Sequence, residues 1–287
     1  MRSHNAHHFV PAFILREWQT LPDDKLSAFW WINDALVHKR YKAKNVAKEL
    51  GLYALRNKVG IADNVVERDF FAREIDDPAS VVHRKILDHG VASLSATEWH
   101  VWDRFMVAQM LRGPRMVAHL RRRGAEIFGR SMLADENADN DEAPDSSTFT
   151  LSDWIKQNPD SLNSDNLSMA GLPSIVNSDL LYDNMRRAGS VTVELPSTAP
   201  FNFLIGDHAL CYVGAMEAKF VIMLPIAPHV VFVKCDSRET AENIRKLTAR
   251  QLASDANFTT VTGAERYVYA TDASQFDFIE QNLDRPA

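Results

Sequence analysis

Two glutamates on one predicted helix are the residues best suited to chemistry. Glu67 and Glu74 lie seven residues apart in a segment, residues 64–76, whose apolar spacing predicts an α-helix. At about 100° per residue, both fall inside the apolar arc that contains Phe70 and Phe71. A carboxylate in such a place needs a cation, a set of hydrogen bonds or a proton. The spacing therefore predicts two shielded acids, suited to general acid/base catalysis or to binding a divalent metal whose identity the sequence leaves open.

A second predicted helix carries partners for these acids. Residues 95–98 (Ser-Ala-Thr-Glu) have the form of a capping box, and the helix is predicted to continue past Gln109 until Gly113-Pro114 ends it. Gln109 and Arg112 fall on its apolar arc, and the planar guanidinium of arginine suits a carboxylate. We expect a buried polar cluster made of Glu67, Glu74, Gln109 and Arg112.

Two interpretations of this cluster stay open. In the structural one, it is an internal salt bridge that fixes how the helices pack, because buried ion pairs often serve packing specificity. In the functional one, the carboxylates face a cleft as acid/base groups or metal ligands, because acids with perturbed pKa values concentrate at functional sites. A cleft beside Glu67 and Glu74 would favour the second.

Three further residues are candidates for supporting roles. His8 could join the cluster or anchor the amino-terminal segment by a hydrogen bond, and a metal role with its neighbour His7 is less favoured because adjacent side chains diverge. Lys44 could also join the cluster. Asp207 follows a predicted strand and either faces a ligand or forms an Asx-turn. We assign catalytic roles to Glu67, Glu74, Arg112 and His8, and ligand binding to Lys44, Gln109 and Asp207.

Charge is divided unevenly along the chain, whose formal net charge is -6. Residues 1–130 hold 21 Lys and Arg against 15 Asp and Glu, and the remainder holds 11 against 23. The basic run at 39–48 and the set Arg112, Arg115, Arg121, Arg122, Arg123 and Arg130 could meet phosphates, but such runs are more often solvated faces. Nucleic acid or another phosphate-containing ligand is a candidate partner that the sequence does not favour.

Several classes of protein are disfavoured. The most apolar stretch, residues 220–233, is interrupted by two prolines and a histidine, so we expect no membrane span. The amino end lacks the features of a secretory signal, which makes the cytoplasm the expected compartment. Two cysteines are too few for a disulfide framework. Walker, Gly-x-Ser-x-Gly, Gly-x-Gly-x-x-Gly and His-Glu-x-x-His motifs do not occur.

The order of the patterns predicts an α+β fold with a helical N-terminal lobe packed on a C-terminal, mostly antiparallel sheet with flanking helices. Residues 1–134 are assigned to the helical lobe, which includes a short helix at 45–50 and places Trp30 and Trp31 at helical positions. Residues 135–172 are acidic and irregular, as a linker or an insertion. Residues 173–287 are assigned to the sheet lobe, with strands at 191–195, 201–205, 220–224, 230–233 and 267–270 and helices at 239–252 and 274–282.

The motifs together resemble a known family. They are His8-Phe9-Val10-Pro11, Lys44-Asn45, Gly51-Leu52-Tyr53, Glu67 with Glu74, Gln109-x-x-Arg112-x-Pro114, and Phe203-Leu204-x-Gly206-Asp207-His208. Their order and spacing are similar over most of the chain to the family called domain of unknown function 4238. The resemblance implies that these positions belong to one fold, and it implies no activity.

The leading functional hypothesis from the sequence is a hydrolase-like polar site between the two lobes that acts on a phosphate-containing ligand or nucleic acid. The alternative is a non-catalytic binding or regulatory module, in which the Glu/Arg cluster is structural and the basic helices meet a partner. Substrate, metal identity and oligomeric state are not predicted.

Overall fold

A computed structural model describes residues 6–56, 62–123, 164–214 and 219–285. The fold is α+β with antiparallel sheets, as predicted. The chain forms two compact units, each built from three separate segments. The first comprises Met1–His7, Glu49–Ala79 and Arg104–Tyr182, and the second comprises His8–Lys48, Ser80–Asp103 and Asp183–Ala287. The boundaries expected at residues 134 and 172 remain a prediction.

The strands of the described residues are, in chain order, β1 (Ala6–His8), β2 (Leu26–Ile32), β3 (Ala35–Tyr41), β4 (Lys48–Leu50), β5 (Leu55–Arg56), β6 (Ala62–Asp63), β7 (Gly189–Glu194), β8 (Ile205–Gly206), β9 (Cys211–Gly214), β10 (Phe220–Ala227), β11 (Val230–Cys235) and β12 (Val268–Ala270). The α-helices are α1 (Ala12–Leu15), α2 (Asp77–His89), α3 (Ala96–Leu111), α4 (residues 114–123), α5 (Ser164–Ala170), α6 (Leu172–Val176), α7 (Asp179–Arg187), α8 (Arg238–Arg245), α9 (Ala249–Gly263) and α10 (Phe276–Asn282). A π-helix occupies Val66–Asp76, and single 3₁₀ turns occupy Arg16–Trp18, Ala43–Asn45 and Val91–Ser93. Among these described residues, no helix is long and apolar enough to cross a membrane.

Two four-stranded sheets form the second unit. One has the order β7-β11-β10-β9 and carries α8 and α9 against its apolar residues, which include Val191, Val231 and Val233. The other has the order β3-β2-β12-β8 and packs Phe29 and Val268 with Ile279 of α10. Strands predicted at 191–195, 220–224, 230–233 and 267–270 are confirmed to within a few residues. Of the strand expected at 201–205, only Ile205 lies in regular strand structure, with Gly206.

The sheet β3-β2-β12-β8 contains two strands from the N-terminal part of the chain, β2 and β3. Trp30 and Trp31 lie in β2, so the prediction that they occupy helical positions is wrong. β2 and β3 form a hairpin that runs from Leu26 opposite Tyr41 to Ile32 opposite Ala35. Its two-residue turn holds Asn33 at φ +52°, a conformation that asparagine tolerates. β2 also pairs with β12, about 240 residues later in the chain, and a local pattern cannot reveal such a pairing.

Three other segments also differ from expectation. Residues 45–50 form the end of a 3₁₀ turn and strand β4 instead of a short helix. The helix expected at 239–252 is two helices, α8 and α9, because Thr248 and Gln251 form a capping box that starts the second. Residues 164–172, expected to be irregular, are largely helical, since Met169, Ala170 and Leu172 are fully buried. Residues 135–163 of the expected acidic segment lie outside the described residues.

Helix boundaries with local chemical signals are confirmed. Ser95 and Glu98 form the predicted reciprocal cap of α3, at 2.7 Å and 3.3 Å. α3 ends at Leu111, just before Gly113-Pro114. α2 ends before Gly90, whose φ of +71° suits glycine.

The core of the second unit contains an ion pair whose two partners are both buried. The ammonium of Lys234 in β11 donates a hydrogen bond to Asp103 in α3, and both side chains are nearly inaccessible to solvent. Burial lowers the pKa of Lys234 and raises the pKa of Asp103, and each partner's charge opposes that effect on the other. The ammonium also lies 5.1 Å from the centre of the Trp99 ring. Each charge is tolerated in the core because the other is present.

We therefore predict that Asp103→Ala lowers the free energy of unfolding by about 3–5 kcal/mol, because it leaves the Lys234 charge buried and unpaired. Asp69→Ala is the matched control, since Asp69 pairs with Arg68 at the surface, where a salt bridge contributes about 1 kcal/mol or less. Urea unfolding of both variants measures the difference. Similar losses in the two variants would contradict this account of the core pair, and the double variant Asp103→Leu/Lys234→Met should recover most of the lost stability.

A neutral histidine is a second polar element of this core. His83 in α2 is 2% exposed, and its Nε2 donates to the carbonyl of Ile226 at 2.8 Å. Its ring is near Phe13 and Trp102. Burial lowers the pKa of His83 to about 4 from the usual 6.5, despite the opposing effect of the hydrogen bond.

This shift predicts acid sensitivity. Below about pH 6.5 the unfolded chain protonates His83 while the folded chain does not, so stability is fully present above that pH and falls as the pH approaches 4. The contribution lost between pH 7 and pH 5 is about 2 kcal/mol. Urea unfolding at both pH values should show a smaller loss in His83→Gln than in the wild type. Equal losses in the two proteins would show that this ring is not the titrating group.

Candidate functional site

The predicted acids lie on a helix of unusual winding in the first unit. Residues Val66–Asp76 form a π-helix, and the amide of Asp77 just beyond it donates to the carbonyl of Ala72, five residues back. Its buried residues follow a period longer than that of an α-helix, at Val66, Phe70, Phe71 and Ile75. π-helical turns are rare and are frequent at functional sites.

The winding changes which acids share a face. In an α-helix, seven residues make about two turns, so Glu67 and Glu74 would lie together. A π-helix has more than four residues per turn, so seven residues make about one and a half turns and nine make about two. Glu67 and Glu74 therefore point to different sides, and Glu67 shares a face with Asp76. The predicted pairing of both glutamates on one face is wrong for this reason.

Asp76 pairs with the predicted guanidinium. Arg112, which follows α3, has no solvent-exposed surface, and its Nη1 and Nη2 donate to Oδ1 and Oδ2 of Asp76 at 2.7 Å and 3.1 Å. Such a two-point contact is the geometry that arginine is suited to. The guanidinium also lies 4.7 Å from the centre of the Phe71 ring.

A chain of aromatic and polar contacts extends from this ion pair. The hydroxyl of Tyr53 donates to the carbonyl of Arg112 at 2.5 Å, and its ring lies 4.6 Å from that of Phe71. His7 stacks on Tyr53, and its Nδ1 accepts from the Tyr53 amide at 2.9 Å. Since Nδ1 accepts, Nε2 carries the proton and donates to Asn64 at 2.9 Å.

The electrostatics of the cluster are mutual. Burial raises the pKa of Asp76 even though Arg112 opposes it. Burial would lower the pKa of Arg112, but the charges of Asp76 and Glu67 raise it above its ordinary value. Burial, with Glu67 and Asp76 adding to it, also raises the pKa of Tyr53. Burial lowers the pKa of His7, which keeps that ring neutral. The charge of Glu67 thus acts on Arg112, as the sequence predicts, and Asp76 joins it.

Glu74 belongs to a separate ion pair. Its Oε2 accepts from Nη2 of Arg104 at 3.0 Å, and Nε of Arg104 donates to Asn177 at 2.7 Å. The side chains of Glu74 and Arg104 are 17% and 23% exposed. This pair is therefore partly hydrated, unlike the guanidinium of Arg112.

Gln109 is buried on α3, one turn before Arg112, and is 5% exposed. Neither its amide nitrogen nor its amide oxygen has a hydrogen-bond partner within the described residues. Among the same residues, no three His, Cys, Asp or Glu side chains are grouped so that they could hold a metal ion. The described acids of this cluster thus interact with arginine side chains.

The remaining predicted residues belong to the second unit. His8 is half-buried at the end of β1, and Lys44 is exposed in the 3₁₀ turn. Asp207 is 5% exposed, and its carboxylate accepts from the amides of Glu265, Arg266 and Tyr267 at 2.7–2.9 Å. It therefore fixes the turn before β12 through amides about 60 residues later in the chain, instead of through a local Asx-turn.

Four residues of these arrangements are absent from the predicted site: His7, Tyr53, Asp76 and Arg104. Side chains alternate along β1, so His7 and His8 point to opposite faces. The sequence does not show which of these two histidines faces the cluster. Asp76 shares a face with Glu67 only in a π-helix, and the sequence pattern does not reveal that winding.

Comparison with known proteins places the chain in a family. A family model described as protein of unknown function (DUF4238) matches residues 6–274, so the chain belongs to this family, as its motifs suggest. No curated protein and no solved structure is detectably similar to it. The family description assigns no activity.

The geometry predicts unequal roles for the two arginines. Arg112→Lys should lower the free energy of unfolding by about 2 kcal/mol, because an ammonium cannot make two parallel bonds to Asp76 or stack on Phe71. Arg104→Lys is the matched control and should lose about 1 kcal/mol or less, because its pair with Glu74 is partly hydrated. Urea unfolding of both variants measures the difference. An Arg104→Lys loss that equals or exceeds that of Arg112→Lys would contradict this assignment.

Proposed function

We propose that this protein is a non-catalytic binding module, in which the cluster around Arg112 is structural and exposed basic residues of α4 bind a phosphate-rich partner. The observation that carries the proposal is the state of Arg112. Its guanidinium is inaccessible to solvent and makes a two-point contact with Asp76. A ligand phosphate would have to break that buried pair, which is strongly unfavourable.

One face of α4 carries exposed basic side chains. Arg115, His119 and Arg122 are exposed and follow each other at intervals of four and three residues, so they share one helix face. Val117 and Leu120 are buried on the opposite face. Residues 114–123 contain no acid. This face presents positive charge to solvent, which favours contact with a polyanion.

Not every basic residue of the predicted set takes part. Arg121 donates to the carbonyls of Leu52 and Ala54, so it has a structural use. Of the run at 39–48 in the second unit, Lys39 and Arg40 lie on β3, an edge strand, where charged side chains guard against pairing with another chain. Arg115 and Arg122 are therefore the best candidates for phosphate contacts.

The hydrolase-like hypothesis has less support. Two of its predicted residues already have partners inside the protein, since Glu74 pairs with Arg104 and Arg112 pairs with Asp76. The described residues also hold no group of three metal-ligating side chains. A catalytic role for Glu67, Glu74, Arg112 and His8, and ligand binding by Lys44, Gln109 and Asp207, therefore remain predictions from the sequence.

Binding to a fluorescein-labelled, mixed-sequence oligonucleotide tests the proposal. Wild-type protein should raise the fluorescence anisotropy at low salt, with a logarithm of the binding constant that falls linearly with the logarithm of salt concentration. Arg115→Gln/Arg122→Gln should weaken binding and reduce the magnitude of that slope by about 2, because each phosphate contact contributes about one unit.

The control removes the same charge elsewhere. Arg186→Gln/Arg187→Gln changes two exposed arginines of α7 and should keep the wild-type slope. Equal weakening in both variants would mean that net charge alone attracts the probe. An oligonucleotide that does not bind at low salt would reject the phosphate-rich partner.

A further inference from the structure

A pocket in the second unit has no role in the proposed function. Its volume is about 230 Å³, and α9 forms one side of it. The residues that line it are Phe201, Arg250, Ala253, Ser254, Asn257, Gln275 and Phe278. All of them are well separated in sequence from the basic face of α4.

The apolar walls come from two different cores. Phe201 packs against the core of the sheet β7-β11-β10-β9, and Phe278 packs against the core of the sheet β3-β2-β12-β8. α9 contributes Ala253 to the first core and Val261 to the second. The pocket therefore lies where two packed layers meet, and both phenylalanines are only half-buried. Two aromatic walls of this kind suit a flat apolar group.

A fixed amide network forms the polar part. Asn257 is 4% exposed, and its Oδ1 accepts from the amide of Leu204 at 2.8 Å. Its Nδ2 donates to the carbonyl of Asn202 at 2.9 Å and to Oε1 of Gln275 at 3.1 Å. Nε2 of Gln275 donates to the same Asn202 carbonyl at 3.0 Å. One N–H of Gln275 is left without a partner among the described residues, and its direction is limited by the other bonds.

The charge of the pocket is positive. Arg250 makes no ion pair or hydrogen bond with any other described residue, and no acid is among the lining residues. Ser254 lies four residues after Arg250, so the hydroxyl and the guanidinium share a helix face. The pocket thus combines a cation, a hydroxyl and an amide N–H, all able to donate hydrogen bonds to an anion.

We propose that this pocket binds a small planar aromatic carboxylate, with its ring between Phe201 and Phe278 and its carboxylate on Arg250. The volume fits such a ligand, because an apolar cavity of about 150 Å³ holds benzene and the remaining space accepts a second ring or an acid group. Arginine matches the two oxygens of a carboxylate, and the walls match the ring.

Isothermal titration calorimetry with 2-naphthoate and its neutral counterpart 2-naphthamide tests the proposal on the full chain. 2-Naphthoate should bind saturably and more tightly than the amide. Arg250→Gln should weaken 2-naphthoate at least tenfold, because a charge-assisted contact is lost, and should leave 2-naphthamide within twofold. Arg250 is exposed, so this variant keeps the fold.

Two controls identify the pocket. Phe278→Leu should weaken both ligands, whereas Phe258→Leu, an exposed position of α9 outside the lining, should weaken neither. Arg245→Gln, an exposed arginine of α8, should leave 2-naphthoate unchanged. The proposal is overturned if 2-naphthoate does not bind, if Arg250→Gln binds it as the wild type does, or if Arg245→Gln weakens it equally. These readouts do not depend on the oligonucleotide experiment, so either proposal can fail alone.

Discussion

The first unit depends on one constraint: a guanidinium removed from water must keep its counter-charge. Arg112 has no exposed surface, and only a carboxylate held at two points makes that burial tolerable. Asp76 supplies it at the end of the π-helix, and Phe71 and Tyr53 close around the pair. The unusual winding is consistent with this need, because it puts Asp76 on the same face as Glu67. The π-helix thus positions the carboxylate that the buried guanidinium requires.

The second unit handles buried polarity in other ways. Lys234 and Asp103 neutralise each other inside the core, and His83 avoids the problem by staying uncharged. Asp207 satisfies its carboxylate with three backbone amides. In each case the polar group is occupied inside the protein. Hydrogen-bond donors that could bind an external ligand remain available on one face of α4 and in the pocket beside α9.

Several features could be predicted because their causes are local. The capping box at Ser95, the glycine after α2 and the alternating strands near β7, β10 and β11 each depend on a few neighbouring residues. The prediction that Arg112 is buried beside acids is also confirmed, because an apolar arc that contains a charged residue implies compensation. The identity of the acid could not be predicted, since the wheel assumed an α-helical period.

The sequence by itself determined the α+β class, the family, the helix boundaries that have local capping signals and the presence of a buried arginine. Only the tertiary structure decided that Leu26–Ile32 is a strand, because its partner β12 lies far away in the chain. It also decided that His7 and Asp76 occupy the cluster around Arg112. The physical reason is the same in both cases: caps and alternation are properties of adjacent residues, whereas strand pairing and helix winding are selected by what the fold must bury.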